Sequence, residues 1–564
     1  MASPAPDSGA AVDILQIAVL SAAVVVGFTL TARRILPSLH ALQQDDYSNR
    51  RFAGWLGASR SRTIQGRLAS IYLAAVAVHL GLSAVAGLPG TYVAPALATV
   101  AAAVNEIRTP VRAPRKKPLV YTGRAKRLLA VSVVVAGLVF AAVYVAVAQA
   151  AAAFGFPDAY VAGAGVMAAT LVSIHAAPFA VMAANVCLAP LQRTINLTYR
   201  VRARRKLDRF KPMVVGIAGS YGKTSTKYFT EALLESRFRV LKTRASFNTL
   251  LGVCRAINEE LGPEHQMLIV EMGAYRRGEI HDMARLTRPH IGVLTAIGPQ
   301  HLERFGSIET IEMAKFELLE ALPADGIAVV NNDDPRVRRL AGTLRLAEVR
   351  RYGIDTSADE LDLAAVSITH GPDGLTFTLV ECGGPRVTVR TRLIGLHNVS
   401  NILAAASVAR AAGVSLREVA GAIGRLQPVP HRLETHTGAD GVTIIDDAYN
   451  SNPVGAFNAL DALAAFETGR KVLVTPGMVE LGAEQDAWNE KLGAKAADVC
   501  DYVILVGTRQ TASIRRGLDE RGFGAERVMP VPNLNRGLEA LKTIVRAGDV
   551  VLFENDLPDL YDEE

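Results

Sequence analysis

Residues 213–237 read MVVGIAGSYGKTSTKYFTEALLESR, and this stretch decides the fold of the larger part of the chain. The run 213–217 is short and wholly apolar, as expected of a strand buried on both faces. Gly219-Ser-Tyr-Gly222-Lys223-Thr224-Ser225-Thr226 follows, and then a helix-forming segment, KYFTEALLESR. A strand, a glycine-rich turn and a helix together make a place for a nucleotide phosphate. Backbone N–H groups and the positive end of the helix face the anion. Lys223 adds a point charge for the outer phosphates, and Thr224 offers a hydroxyl to Mg2+. Gly219, Ser220, Gly222, Lys223, Thr224 and Ser225 are therefore the expected phosphate-binding set. The residue six before Lys223 is Ile217, so the general Walker A spacing is incomplete.

Upstream of this loop the chain changes character. Residues 13–32, 68–87, 91–107, 128–153 and 159–187 are nearly uncharged apolar runs. Each has the length a helix needs to cross a hydrocarbon core of about 30 Å. The first lacks a basic leader and is followed by Arg33 and Arg34, so it reads as an anchor and not as a cleaved signal. Basic residues crowd 33–67, 108–127 and 193–211, whereas the turns at 87–90 and 155–158 are uncharged or acidic. With five spans, all three basic segments fall on one side, and the positive-inside rule makes that side cytosolic. The expected protein is a multi-pass protein of the cell membrane, with its N-terminus outside and everything beyond residue 190 in the cytosol. Gly163 and Gly165 read as helix packing.

Charge follows the same division. Residues 1–211 hold 23 Lys/Arg and 7 Asp/Glu, while the remainder holds 38 and 47. The basic residues lie between apolar blocks and no nucleic-acid motif is present, so the partner of the basic half is a lipid bilayer and not a nucleic acid. Cys187, Cys254, Cys382 and Cys500 stand far apart, which argues against a zinc ribbon or a disulfide framework and suits a reducing compartment.

Downstream, QMLIVE (266–271) is an apolar strand ending in Glu271, a favoured place for a ligand-binding carboxylate in an open α/β sheet. GIAVV (326–330) leads into the turn NNDDP (331–335), which reads equally as a plain turn or as an approach to nucleotide. AAVSITH, LTFTLVE and RVTVRTRL, between 364 and 393, alternate as a small β meander with turns at GPDG and CGGP. Beyond residue 426, VTIID, KVLVTPG, YVILVG and DVVLFEN alternate with helical segments, the pattern of a Rossmann-like α/β domain. Lys315 lies in IEMAKFELLEAL, where periodicity alone makes it a surface helix lysine.

Several segments together resemble the Mur ligase family. GSYGKTSTK is similar to its phosphate loop, G-[ST]-x-G-K-T-[ST]. TRASFNTLLGV (243–253), EMGAYRRGEI (271–280), IGPQHLERFGS with AKFEL (297–318), GLHNVSNILAA (395–405), HRLE (431–434) and IIDDAYNSNP (444–453) match further family motifs in family order. The resemblance covers about 212–485 well and is closest to the MurF type, which adds D-alanyl-D-alanine to UDP-N-acetylmuramoyl-tripeptide. It implies an ATP- and Mg2+-dependent ligase that phosphorylates a carboxylate and then lets an amine displace the phosphate. It implies that Thr224, Glu271, His301 and Lys315, the last as a carbamate, hold Mg2+, and that Lys223, His301 and Lys315 serve catalysis. It places His397, Asn398 and Asn401 near the adenine, and Arg432 and Asp447 at the phosphates and ribose.

The expected architecture is thus an α-helical transmembrane domain (1–190), a basic linker (191–211), an α/β Mur ligase central domain with the phosphate loop (212–425) and a C-terminal Rossmann-like α/β domain (426–564). The expected partners are ATP, the carboxylate acceptor and amine donor of cell-envelope (peptidoglycan) synthesis, the bilayer, and other proteins of envelope synthesis. Two departures stand out. PGMVELG (476–482) has Gly477 where the family usually shows G-D-M-x-E-L-G, and the ending LFENDLPDLYDEE lacks the family's L-x-K-G-S-R. Five spans also stand in place of the domain that grips UDP, which points to a lipid-linked or membrane-proximal substrate. Two other readings are an ATP-activating subunit of an amidotransferase, the MurT type, which carries a zinc ribbon this chain does not have, and a non-catalytic membrane scaffold with an ATP-binding domain.

Overall fold

The apolar run that precedes the glycine-rich turn forms β1 (Met213–Ala218), an interior strand of a nine-stranded sheet. In the computed structural model, residues 8–57, 60–63, 66–85, 93–108, 118–156, 158–244, 247–354, 360–449 and 451–556 are described. They fall into two units, Met1–Ile195 and Asn196–Glu564.

The first unit is helical. Helices Ser8–Gln44, Gly66–Val85, Val93–Arg108, Gly123–Ala153 and Asp158–Cys187 coincide with the five apolar runs. Among the described residues, three stretches, Gln16–Gln44, Gly123–Ala153 and Val161–Cys187, are long and apolar enough to cross a membrane, and Gly66–His79 is a shorter apolar helix. The 87–90 turn, residues 109–117 of the second basic segment and Pro157 of the 155–158 turn lie outside the described residues. Small residues let the long helices approach closely. A Cβ on Gly165 would lie 2.9 Å from the Tyr144 ring, and one on Gly27 would lie 2.7 Å from Thr170 Oγ1. Val25, Leu73, Leu97, Val134, Leu138 and Phe179 are exposed on the outside of this unit, as lipid-facing side chains would be.

The second unit carries two sheets. In the first, β2 (Val240–Lys242), β3 (Met267–Glu271), β1, β4 (Ile291–Leu294), β5 (Ile327–Asn331), β6 (Glu348–Ile354) and β7 (Leu363–Gly371) run parallel in that spatial order. The meander continues the same sheet: β8 (Gly374–Glu381) and β9 (Arg386–Thr391) add antiparallel beyond β7. Both faces are covered, which is why β1, β3, β4 and β5 are apolar up to the Glu271 and Asn331 that end β3 and β5, whereas the less buried β6 carries Glu348, Arg350 and Arg351. Val215, Ile217 and Ile269 point into one core with Leu403, and Val214, Leu268 and Val270 point into another with Leu318.

The second sheet has the order β10 (Glu434–Thr437), β11 (Thr443–Asp447), β15 (Val550–Glu554), β12 (Lys471–Thr475), β13 (Tyr502–Val506) and β14 (Val528–Val531). All its pairs are parallel except β10 with β11.

The basic stretch expected as a linker is helical, over Ala189–Phe210. Ala203 and Leu207, four residues apart, are buried. Lys206 Nζ donates to the carbonyls of Asn258 and Leu261 at 2.9 Å each, and Arg204 donates to that of Leu286 at 2.9 Å. Part of this charge is therefore used inside the second unit, to which residues 196–210 of the helix belong.

Candidate active site

After β1 the chain turns through Gly219 (φ +147°) and Gly222 (φ +76°). A Cβ on Gly219 would sit 2.1 Å from Thr295 Oγ1, and one on Gly222 would sit 2.3 Å from Asn401 Oδ1. Both the conformation and the lack of space require glycine. The loop is thus held between the end of β4 and helix His397–Ala411. Gly222 precedes the first residue of helix Lys223–Leu234, so the free N–H groups of that helix open at the loop. Lys223 Nζ folds back to donate to the carbonyls of Gly219 (2.7 Å) and Ser220 (2.9 Å). Burial pushes its ammonium down to about 8, against the pull of Glu271 and helped by Arg432.

Glu271, at the end of β3, collects the neighbouring polar groups. Thr224 Oγ1 donates to its Oε1 at 3.2 Å, Asn248 Nδ2 donates to the same oxygen at 3.3 Å, and Lys227 Nζ lies 2.8 Å from Oε2. A helix-start hydroxyl beside a carboxylate is a pair of hard oxygen donors, the kind Mg2+ takes. Lys227 stands in the quoted GKTSTK stretch but was given no role there. Its four-residue spacing from Lys223 puts it one helical turn further on.

Lys315 is not the surface lysine that periodicity suggested. It is buried, and its Nζ donates to the Ala274 carbonyl at 3.2 Å. Burial, and then the repulsion of Lys223, hold it well below the ordinary lysine range. His301 has left-handed backbone (φ +55°) ahead of the turn Leu302–Phe305. Its ring lies edge-on to Tyr275 at 4.6 Å between centroids, and its Nδ1 is hydrogen-bonded to Glu480 of the second sheet's domain. Burial holds its pKa below the usual imidazole value, with Glu480 pulling the other way.

Asn401 Oδ1 accepts from Thr226 Oγ1 at 3.5 Å, and its Nδ2 donates to Asn398 Oδ1 at 3.4 Å. Asn398 Nδ2 donates to the Ile394 carbonyl at 2.8 Å. His397 is pushed down to about 4 by burial and then by Arg432, so its ring is neutral, and its buried Nδ1 has no hydrogen-bond partner. The Arg432 guanidinium lies over the Tyr449 ring at 4.7 Å. Asp447 accepts the Leu433 N–H at 3.3 Å, and burial pushes its carboxyl up to about 6 against the pull of Arg432. Arg432 acts on the charge states of Lys223, His397 and Asp447, and Lys223 on those of His301 and Lys315, so the structure brings these residues near one phosphate loop.

NNDDP has a structural task. Asp334 caps helix Pro335–Ala341 through the N–H groups of Arg336 (2.9 Å) and Val337 (3.1 Å), and it also accepts the Ile297 N–H at 2.8 Å. A cavity of about 550 Å3 opens beside it, lined among others by Tyr221, Gly298, Asn331, Arg336 and Trp488. The Tyr221 hydroxyl is buried without a hydrogen-bond partner.

Two departures from the family pattern have a geometric setting. Gly477 has φ +79°, and a Cβ there would lie 2.9 Å from Asn489 Oδ1, so an aspartate would be both strained and crowded. Glu554, in the altered C-terminal stretch, is the register partner of Asp447 on the neighbouring strand. It is buried and accepts hydrogen bonds from the hydroxyls of Ser451 and Thr475, the latter at 2.7 Å. Burial raises its carboxyl to about 7, and Asp447 adds to the shift. Nothing in the sequence pattern pointed to Glu554. Asn450, within IIDDAYNSNP, lies outside the described residues.

Residues 217–409 match the Mur ligase middle domain, and residues 431–554 match the Mur ligase glutamate ligase domain. The UDP-N-acetylmuramoyl-tripeptide–D-alanyl-D-alanine ligase of Mycobacterium tuberculosis is 36% identical over 371 residues, covering 60% of this chain and 69% of that one. The Escherichia coli ligase of the same name is 35% identical over 301 residues, covering 53% and 65%. The MurF ligase of Thermotoga maritima in complex with ADP superimposes with a TM-score of 0.57 at 28% identity, over 65% of this chain and 81% of that one. A MurF structure from Acinetobacter baumannii gives 0.58 at 26% identity, over 65% and 78%. The chain belongs to the Mur ligase family. It is an ATP-dependent ligase whose two α/β domains have the MurF-like fold.

Proposed function

We propose that this ligase joins an amine to a carboxylate of a peptidoglycan precursor, through an acyl phosphate, and that the precursor is lipid-linked and met at the membrane. The amide chemistry follows from relatives named for adding D-alanyl-D-alanine to UDP-N-acetylmuramoyl-tripeptide. The observation that carries it is the contact of Thr224 with Glu271 beside Lys223, at the mouth of a glycine loop. Loop N–H groups and Lys223 grip the phosphates and orient the outer one toward the substrate carboxylate. His397, Asn398 and Asn401 receive the adenine, Asp447 the ribose, and Arg432 the phosphates from the C-terminal domain. Phosphoryl transfer from ATP gives the acyl phosphate. The amine, freed of its extra proton, then attacks the acyl carbon, and phosphate leaves.

Thr224 and Glu271 fit Mg2+ as hard oxygen donors, and when bound the ion neutralises phosphate charge. His301 is assigned to Mg2+ together with Glu271, and Lys315, as its carbamate, to a second ion. A buried amine held below its ordinary pKa beside Lys223 supports this, because the uncharged amine adds CO2 and releases a proton, giving a carbamate anion that the Lys223 cation attracts.

The membrane half of the reading rests on the helical unit before Asn196 and on the eight Lys/Arg against one Asp over 193–211, of which Arg204 and Lys206 are engaged by carbonyls of the second unit. Basic residues near an anionic surface contribute about 1 kcal/mol each. We place the N-terminus outside and the ligase domains in the cytosol. The test uses the full chain in nanodiscs, measuring ATP-dependent amide formation on lipid-linked and on soluble UDP-linked precursors. Preference for the lipid-linked precursor is expected, and equal or better use of the soluble one refutes the membrane half. Cysteines placed at 87–90 and 155–158 should label from outside, and those at 108–127 should not.

A further inference from the structure

Glu480 belongs to the domain of the second sheet, yet its contacts lie in the domain of the phosphate loop. Its carboxylate binds His301 Nδ1 through one oxygen and Arg304 through the other, the latter at 3.1 Å. Its backbone carbonyl accepts the Glu303 N–H at 3.2 Å. The Arg304 guanidinium in turn lies over the Tyr275 ring at 4.2 Å, and that ring meets His301 edge-on. His301, Glu303 and Arg304 of one domain thus bind a single residue of the other, and Tyr275 packs against two of them.

Glu480 also has left-handed backbone, with φ +64°. That region is unfavourable for a residue with a Cβ and persists where surrounding contacts over-determine it. Here the contacts are interdomain. The segment is fixed on its own side by Asn489, which accepts the Met478 N–H at 2.8 Å and donates to the Met478 carbonyl at 2.9 Å. Asn555 adds a bond to the Gly477 carbonyl at 2.6 Å. The loop is therefore braced from behind and presents Glu480 forward. A carboxylate on Nδ1 sets the tautomer and the direction of the ring, leaving Nε2 as the free ligand atom, as in carboxylate–histidine pairs behind metals.

We infer that Glu480 is a positioning residue: when the two domains close, it orients His301 for the metal and locks Arg304, so that the metal site is completed only in the closed enzyme. This rests on the assignment of His301 to Mg2+ above. The arrangement joins closure by the domain of the second sheet to readiness of the phosphate site, which would keep ATP from being consumed while the domains stand apart.

The test uses the full chain and compares Glu480→Ala, Glu480→Gln, His301→Ala and the Glu480→Ala/His301→Ala double variant. The readouts are the Mg2+ concentration for half-maximal ATP turnover, the KM for ATP, and the distance between spin labels on the two domains with ADP bound. Glu480→Ala should raise the Mg2+ midpoint about tenfold or more, with the KM for ATP at saturating Mg2+ within about twofold, and should deplete the closed distance. Glu480→Gln, which keeps one acceptor, should fall between. The double variant should be no worse than His301→Ala. A purely structural role would lower the melting temperature and leave the Mg2+ midpoint in place. If His301→Ala moves the midpoint and Glu480→Ala does not, the inference is wrong. If His301→Ala leaves the midpoint unmoved, the metal assignment of His301 fails, and with it the orienting role of Glu480.

Discussion

Lys227 Nζ lies 2.8 Å from Glu271 Oε2, and the two side chains are 0% and 3% exposed. Neither charge can be left without the other, because an uncompensated buried ion costs several kcal/mol. Lys227→Met should destabilise the ligase domains by about 3–5 kcal/mol. The double variant with Glu271→Gln should recover most of that, since it removes both charges. Thermal unfolding of the four proteins gives the coupling, and additive losses would show that the pair is not coupled.

Lys223→Ala removes the cation at the phosphate loop. The expected loss of transition-state stabilisation is about 3–4 kcal/mol, or roughly 100- to 1,000-fold in turnover. ATP-dependent product formation near the wild-type rate would be incompatible with the role given to the loop.

Lys315→Ala should be inactive, and short carboxylic acids should restore part of the rate by standing in for the carbamate. The low amine pKa matters here, because only the uncharged amine adds CO2. Activity of the wild type should therefore also fall in CO2-depleted buffer. An alanine variant with full activity would remove Lys315 from the chemistry.

Glu554 gives a pH dependence of definite sign. Its folded carboxyl titrates near 7, above an ordinary glutamate, so the folded state binds a proton that the unfolded chain has released. The associated stability is present below about pH 4 and is lost as pH rises through 7, by roughly 3 kcal/mol at most. Glu554→Gln should flatten the decline of melting temperature between pH 5 and pH 8. Parallel curves for the two proteins would rule this group out as the source.

Some of this was legible in the sequence for a physical reason. β1, β3 and β5 are buried on both faces, so their residues are apolar until Glu271 ends β3 and Asn331 ends β5. β14 carries Pro530, which fits an edge strand and demotes the segment as a signal. The meander β7–β9 was readable from local alternation, but its membership of the main sheet rests on β7 lying parallel to β6, with Tyr352 opposite Leu363, which no local pattern encodes. The basic stretch over 193–211 hid a helix because its charges outnumber the two buried apolar positions. Lys227, Asn248 and Glu480 all stand inside quoted motifs, yet their roles depend on contacts across 44, 23 and 179 residues.

The backing of the phosphate loop bears on how the protein is made. Gly222 and Thr226 are seated against Asn401, which a ribosome adds 175 residues after Thr226. The loop's own strand and helix can form early, but the wall that holds its glycines arrives only when helix His397–Ala411 has emerged. Contacts of such sequence separation are slow to form. The nucleotide site is therefore among the first parts of the ligase domains to be synthesised, and a nascent chain carries it without this wall until helix His397–Ala411 has been made.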